Sequence, residues 1–122
     1  MSVWLFIATC LVGALGAVSR FVVDGEIRRR WPSPLPWATF VVNVSGSLLL
    51  GLVTGAVIGH DSSNVLRVVV GSGFCGGYTT FGTAMVETLR LTQGRTTVAG
   101  VGYSVGTLVA TVTAAGLGLV LA

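Results

Sequence analysis

Charge is what this chain has least of: four acidic residues, seven basic ones and one histidine among 122. At 9% charged it falls far below the roughly 25% of an ordinary soluble domain. That scarcity excludes most side-chain catalysis. His60 stands beside Asp61 in the polar connection Gly59-His-Asp-Ser-Ser-Asn64, where a solitary histidine is far more often solvated than a ligand. No Ser-His-Asp set, acidic pair or phosphate loop can be assembled from the rest, so the chain is read as a non-enzyme, and nucleic acid is not an expected partner. Cys10 and Cys75 have no metal-ligand or redox spacing and are expected as small buried hydrophobes. Lysine is absent, since all seven basic residues are arginines. Nor does a basic residue precede the first apolar run, as a cleavable signal peptide requires, so that run is expected as a retained helix.

What the chain has in abundance is apolar length. It is 52% hydrophobic with a mean hydropathy of +0.89, the composition of an integral membrane protein. Four runs approach the ~20 residues that cross a bilayer: Val3 to Val23, Leu35 to Ile58, Val65 to Thr88, and Thr97 to Ala122. The expectation is an all-α membrane protein of four transmembrane helices, a single domain over residues 1–122. Glycine supplies 18 residues, and Gly51 with Gly55, Gly102 with Gly106, and Gly13 with Ala17 have the four-residue spacing that lets helix backbones approach closely in lipid. Those pairs serve either the packing of one chain or oligomerisation. Arginine placement sets topology: Arg20, Arg28, Arg29 and Arg30 belong to the first connection, Arg90 and Arg95 to the third, and only Arg67 to the second. The first and third connections are therefore expected in the cytoplasm, with both termini outside.

Polar residues inside the spans are the candidates for function. The stretch Gly71-Ser-Gly-Phe-Cys-Gly-Gly-Tyr-Thr-Thr-Phe-Gly-Thr83 interrupts the third span, and irregular backbone at membrane depth must be buried in protein or line a wet cavity. Asn43 has an amide costly to bury in lipid; it either makes an interhelical hydrogen bond or offers its two N–H donors to an anion. Thr39 lies four residues before it on the same face, and Thr107 with Thr111 repeat the spacing in the fourth span, either as a polar track or bonded back to their own helices. Phe81 follows two threonines, where its positive ring edge could favour an anion. Arg20 either snorkels or faces a polar vestibule.

Gly13-Ala-Leu-Gly-Ala-Val-Ser-Arg-Phe21, Trp37-Ala-Thr-Phe-Val-Val-Asn-Val-Ser-Gly-Ser-Leu-Leu-Leu-Gly51, and Gly73-Phe-Cys-Gly-Gly-Tyr-Thr-Thr-Phe-Gly-Thr83 with Glu87 together resemble the Fluc/CrcB fluoride channels, in order and over nearly the full chain. The resemblance implies a four-helix subunit in the plasma membrane of a prokaryote, multi-pass, forming an antiparallel dimer with two narrow fluoride pathways. It implies a third helix broken in the middle, where the carbonyls of Gly76 and Thr79 from both subunits hold a central sodium ion. By the same carry-over Asn43 is the pore amide, Phe81 a ring-edge contact, Thr107 and Thr111 the hydroxyl track, and Arg20 the arginine near the end of helix one. The function implied is passive export of cytoplasmic fluoride, lowering its toxicity.

One departure stands out. The family segment reads Thr-Thr-Phe-Ser-Thr-Phe, whereas this chain has Thr79-Thr-Phe-Gly-Thr-Ala84, so the second pore phenylalanine is Ala84. With the one-sided arginines, this favours a heterodimer with a sister subunit over a homodimer. Two other classes stand beside this reading: a small proton-coupled multidrug exporter, which needs a membrane carboxylate that span one lacks, and a non-conducting assembly subunit.

Overall fold

The computed structural model describes residues 2–33, 35–59, 65 and 67–122; His60 and Asp61 lie outside the described residues. Helix α1, Val3–Arg30, opens at Ser2, whose hydroxyl accepts the Leu5 N–H at 3.1 Å, as an N-cap does. It runs seven residues beyond Val23, the end expected from hydropathy, and the reason is charge spacing. Asp24 pairs with Arg28 at 2.9 Å, and Glu26 with Arg29 and Arg30 at 2.8 and 3.1 Å. These i,i+3 and i,i+4 pairs, with three arginines against the helix C-terminus, favour further turns. Arg28, Arg29 and Arg30 therefore stand on a helix, not in a loop. Trp31 closes it, donating its N–H to the Ile27 carbonyl at 2.8 Å, and Pro32 follows.

Helix α2, Trp37–Gly59, starts immediately after Pro36, whose carbonyl accepts from the Phe40 N–H at 3.3 Å. A wide π-helical segment, Arg67–Cys75, leads straight into one α-helical turn, Gly76–Tyr78; the two together are α3. Thr79 is extended, at φ −78° and ψ 161°, and helix resumes as α4, Gly82–Gly94. Thr96 then caps α5, Thr97–Leu121, by accepting the Ala99 N–H at 3.0 Å. Helices α1, α2 and α5 are long and apolar enough to cross a bilayer. Separately, α3 and α4 are too short for that.

Close backbone contact makes the interior. A Cβ at Gly51 would collide with the Ala115 carbonyl, one at Gly55 would lie 2.8 Å from the Leu119 carbonyl, and one at Gly118 2.6 Å from that of Leu48. Glycine is what lets α2 and α5 touch there. Likewise α1 meets α3 where Gly16 faces the Phe74 carbonyl and Gly77 faces that of Gly13. Gly51 and Gly55 thus serve packing within the chain, whereas Gly102 and Gly106 face open space. Many of the buried side chains are small, Ala38, Val42, Cys75, Ala84 and Ala114 among them, with Tyr78 and Leu91 larger. Cys75 is buried as expected, but Cys10 is exposed, outside the contact in which the Thr9 and Gly13 backbone of α1 meets Gly73. Trp4, Phe21, Val98 and Val120 are likewise turned outward. An exterior so apolar belongs in lipid, and the chain is a multi-pass membrane protein.

Candidate functional site

The break after α3 is held by one side chain. Asn43 Oδ1 accepts the Thr80 N–H at 2.9 Å while Asn43 Nδ2 donates to the Thr80 carbonyl at 3.0 Å. In a continuous helix the Thr80 N–H would reach the carbonyl of Gly76. Here it is diverted to α2, which leaves the Gly76 carbonyl without that donor. Thr79 keeps its own N–H on the Cys75 carbonyl at 2.9 Å, and its hydroxyl bonds the same oxygen at 2.8 Å. Below the break, Tyr78 is buried, stacked on Phe74 and hydrogen-bonded to Ser45 at 3.0 Å. The interhelical bond is thus the reading of Asn43 that the geometry realises, and among the described residues it uses only one of the two amide N–H donors.

Beside the break lies a cavity of about 410 Å³, to which α2 contributes Asn43 and Ser47, the break Thr80 and Phe81, and α5 Tyr103, Thr107 and Thr111. Four expected site residues, Asn43, Phe81, Thr107 and Thr111, therefore share one lining. Thr111 donates its hydroxyl to the Thr107 carbonyl at 2.8 Å, inside its own helix. Thr107 Oγ1 and the Tyr103 hydroxyl are buried, with no hydrogen-bond partner among the described residues. Phe81 is 77% exposed, so its ring borders the cavity on the side the single chain leaves open. Ala84 also lines the cavity and is buried.

Thr39 and Arg20 sit elsewhere. Thr39 is 1% exposed and donates to Glu87 Oε1 at 2.8 Å, the oxygen that also accepts from Arg28 at 2.7 Å. Arg28 is held in turn by Asp24. The shared helical face of Thr39 and Asn43 therefore leads to two places, because Thr39 points to α1 and α4 while Asn43 points to the break. Arg20 joins Thr39, Asp24, Thr80 and Thr83 around a smaller cavity of about 110 Å³, with its Nε buried and unpaired among the described residues. Thr80 lines both cavities. The Arg28–Glu87–Thr39 cluster was not foreseen from sequence, because its members lie 11 to 59 positions apart. Ser47 could have been found, standing four residues after Asn43, and Tyr103 four before Thr107. Among the described residues no group of three or more His, Cys, Asp or Glu side chains could hold a metal ion.

A family model described as CrcB-like protein, Camphor Resistance (CrcB), matches residues 7–119. The chain is 50% identical over 113 residues to a protein of Cutibacterium acnes named Fluoride-specific ion channel FluC 2, covering 92% of each chain. It is 45% identical over 119 residues to Fluoride-specific ion channel FluC 1 of Leifsonia xyli subsp. xyli, covering 98% of this chain and 87% of that one. A Mycobacterium tuberculosis protein named Fluoride-specific ion channel FluC 2 is 37% identical over 118 residues, covering 97% of this chain and 90% of the other.

Proposed function

The chain belongs to the CrcB family, and from that premise we propose that it is a fluoride-specific ion channel, letting fluoride leave the cytoplasm passively and so lowering its toxicity. The observation that carries the reading is the cavity in which Asn43, Phe81, Thr107 and Thr111 meet from three parts of the chain. Fluoride is small and tightly hydrated, and a pore that selects it must replace water with donors at close range. Asn43 has an N–H to spare beyond its bond to Thr80. Thr107 has a buried hydroxyl with no hydrogen-bond partner among the described residues, and its proton can turn toward an anion. The ring edge of Phe81 adds partial positive charge without a counter-ion that would trap the ion. Arg20, beside Thr80 in the adjoining cavity, supplies positive potential at one mouth.

Phe81 and the open side of the cavity support a pathway completed by a second, antiparallel subunit, either another copy or a sister chain. Two such pathways follow from the symmetry of a dimer. The numbered names FluC 1 and FluC 2 among the relatives fit organisms that hold more than one chain of this kind. A central sodium ion fits the donor set at the break: hard carbonyl oxygens of Gly76 and Thr79, the first relieved of its helical donor by Asn43. When bound, it would fix the two broken helices against each other. The membrane is the inner or plasma membrane of a prokaryote, with both termini outside.

A proton-coupled exporter is less well supported, because no acidic side chain lines this cavity among the described residues, and the buried Glu87 is held beside Arg28 and Thr39 through Oε1. The test is fluoride efflux from liposomes, read with an electrode, for the chain alone and co-purified with a sister chain, with chloride as the comparison ion. Fluoride-selective release is expected from at least one preparation, the paired one first. Folded protein that releases neither ion, or both equally, in both preparations would sink the reading.

A further inference from the structure

At the end of the molecule where α1 and α4 finish, a cavity of about 330 Å³ is lined by Arg28, Arg90 and Arg95, with Ser33 and Glu87. Arg28 is committed to Asp24 and Glu87. Arg90 and Arg95 make no ion pair among the described residues, both are exposed, and they stand over the pocket with their charge uncompensated. The rim residues Leu35 and Pro36 also border a second, apolar groove of about 400 Å³ between the start of α2 and α5. Trp37 and Phe40 form one wall of it, edge to face with ring centroids 5.7 Å apart. Gly102 and Gly106 form the other, with nothing within 4 Å of where a Cβ would stand. Trp31 and Trp37 are 65% and 48% exposed nearby, the placement of tryptophans at a membrane interface.

A basic pocket joined through a shared rim to an apolar trough matches an amphiphile with an anionic head. We propose that Arg90 and Arg95 bind the phosphate of an anionic phospholipid whose acyl chain lies along Trp37, Phe40, Gly102 and Gly106. Charge selects the head: with Arg28 paired to Asp24 and Glu87, Arg90 and Arg95 remain as two guanidiniums unpaired among the described residues, and a zwitterionic head brings an ammonium group that they repel. The trough selects a lipid over a free anion. Tyr103 and Thr107 border both the trough and the larger cavity, so a seated acyl chain would back the wall of that cavity.

The experiment is native mass spectrometry of the purified protein released from nanodiscs of equal parts phosphatidylglycerol and phosphatidylcholine. Retained phosphatidylglycerol in roughly tenfold excess is expected. The double variant R90Q/R95Q should lose that preference, whereas R29Q/R30Q, the same charge change on residues paired with Glu26, should keep it. Gly106→Leu, which fills the trough, should release the lipid without changing the secondary structure seen by circular dichroism. Equal retention of the two lipids, or equal loss in both arginine variants, would overturn the proposal. So would displacement of the lipid by inorganic phosphate at equal concentration, which would mark a free-anion site, or a lipid-free complex of two chains, which would mark the trough as a subunit contact.

Discussion

Asn43 has two tasks, and a single substitution disturbs both. Its carbonyl oxygen holds the Thr80 N–H and its amide nitrogen the Thr80 carbonyl, so the residue both opens the helix and presents a donor. Asn43→Asp retains the acceptor but sets a carboxylate against the Thr80 carbonyl, leaving that group unpaired at about 1–3 kcal/mol. It also places negative charge in the path of an anion. Fluoride efflux should fall by roughly tenfold or more, with a lowered thermal midpoint in detergent; unchanged efflux would remove Asn43 from the pathway. Thr107 gives the complementary case. Its buried hydroxyl has no hydrogen-bond partner among the described residues, so Thr107→Val, nearly the same shape, should leave stability unchanged or slightly raised. Fluoride release should nevertheless slow. A hydroxyl kept only for structure predicts the reverse, with lower stability and normal flux. Both residues were legible in the sequence as polar groups at membrane depth. Their separate partners were not, since a helical face says which side a residue is on and nothing of what stands opposite.

The elements are joined by glycines, and the glycines are not equivalent. A Cβ on Gly77 would strike the Gly13 carbonyl of α1, a backbone atom that cannot swing aside, while one on Gly82 meets nothing within 4 Å. Gly77→Ala should therefore destabilise by about 1–3 kcal/mol, seen as a lower thermal midpoint and less folded protein in the membrane. Gly82→Ser, the residue the family segment carries there, should be neutral in the same assay. Equal effects would mean that α1 and α3 are not in backbone contact. Hydropathy located α2 and α5 to within two residues, because nothing but apolar length decides them. It ended α1 too early at Val23, since the last turns are held by Asp24 and Glu26 with their arginines, a pattern of ion pairs and not of hydrophobicity. Run three was visible as a glycine-rich interruption. The break falls between Gly76 and Thr80, where the resemblance put it; that Asn43 reaches across from α2 to hold Thr80, 37 positions away, and that Arg67–Cys75 is wound as a π-helix, no local pattern announces.

At the scale of the whole molecule the arginines and Ala84 point to the same expectation. Six of seven arginines belong to the first and third connections or their flanks, and Arg28, Arg90 and Arg95 gather around one cavity. The chain is thus strongly basic at one end, and such a chain inserts one way. Single cysteines added at Ser2 and at Ala122, in a variant lacking Cys10 and Cys75, should both react with a membrane-impermeant maleimide from outside intact cells. Labelling of half the population would instead indicate two orientations. A chain that inserts one way cannot supply its own antiparallel partner, so this chain alone should release fluoride from liposomes little faster than empty liposomes do, and co-expression with a sister chain of opposite arginine bias should restore release. Ala84 sharpens the test, because it lies in the lining of the cavity that Phe81 borders. If missing aromatic edges limit conduction, Ala84→Phe should raise release from the paired complex. If orientation limits it, the same variant expressed alone should stay silent. Rapid fluoride release from the unaltered chain by itself would discard the heterodimer and show that one phenylalanine per subunit is enough for the pathway.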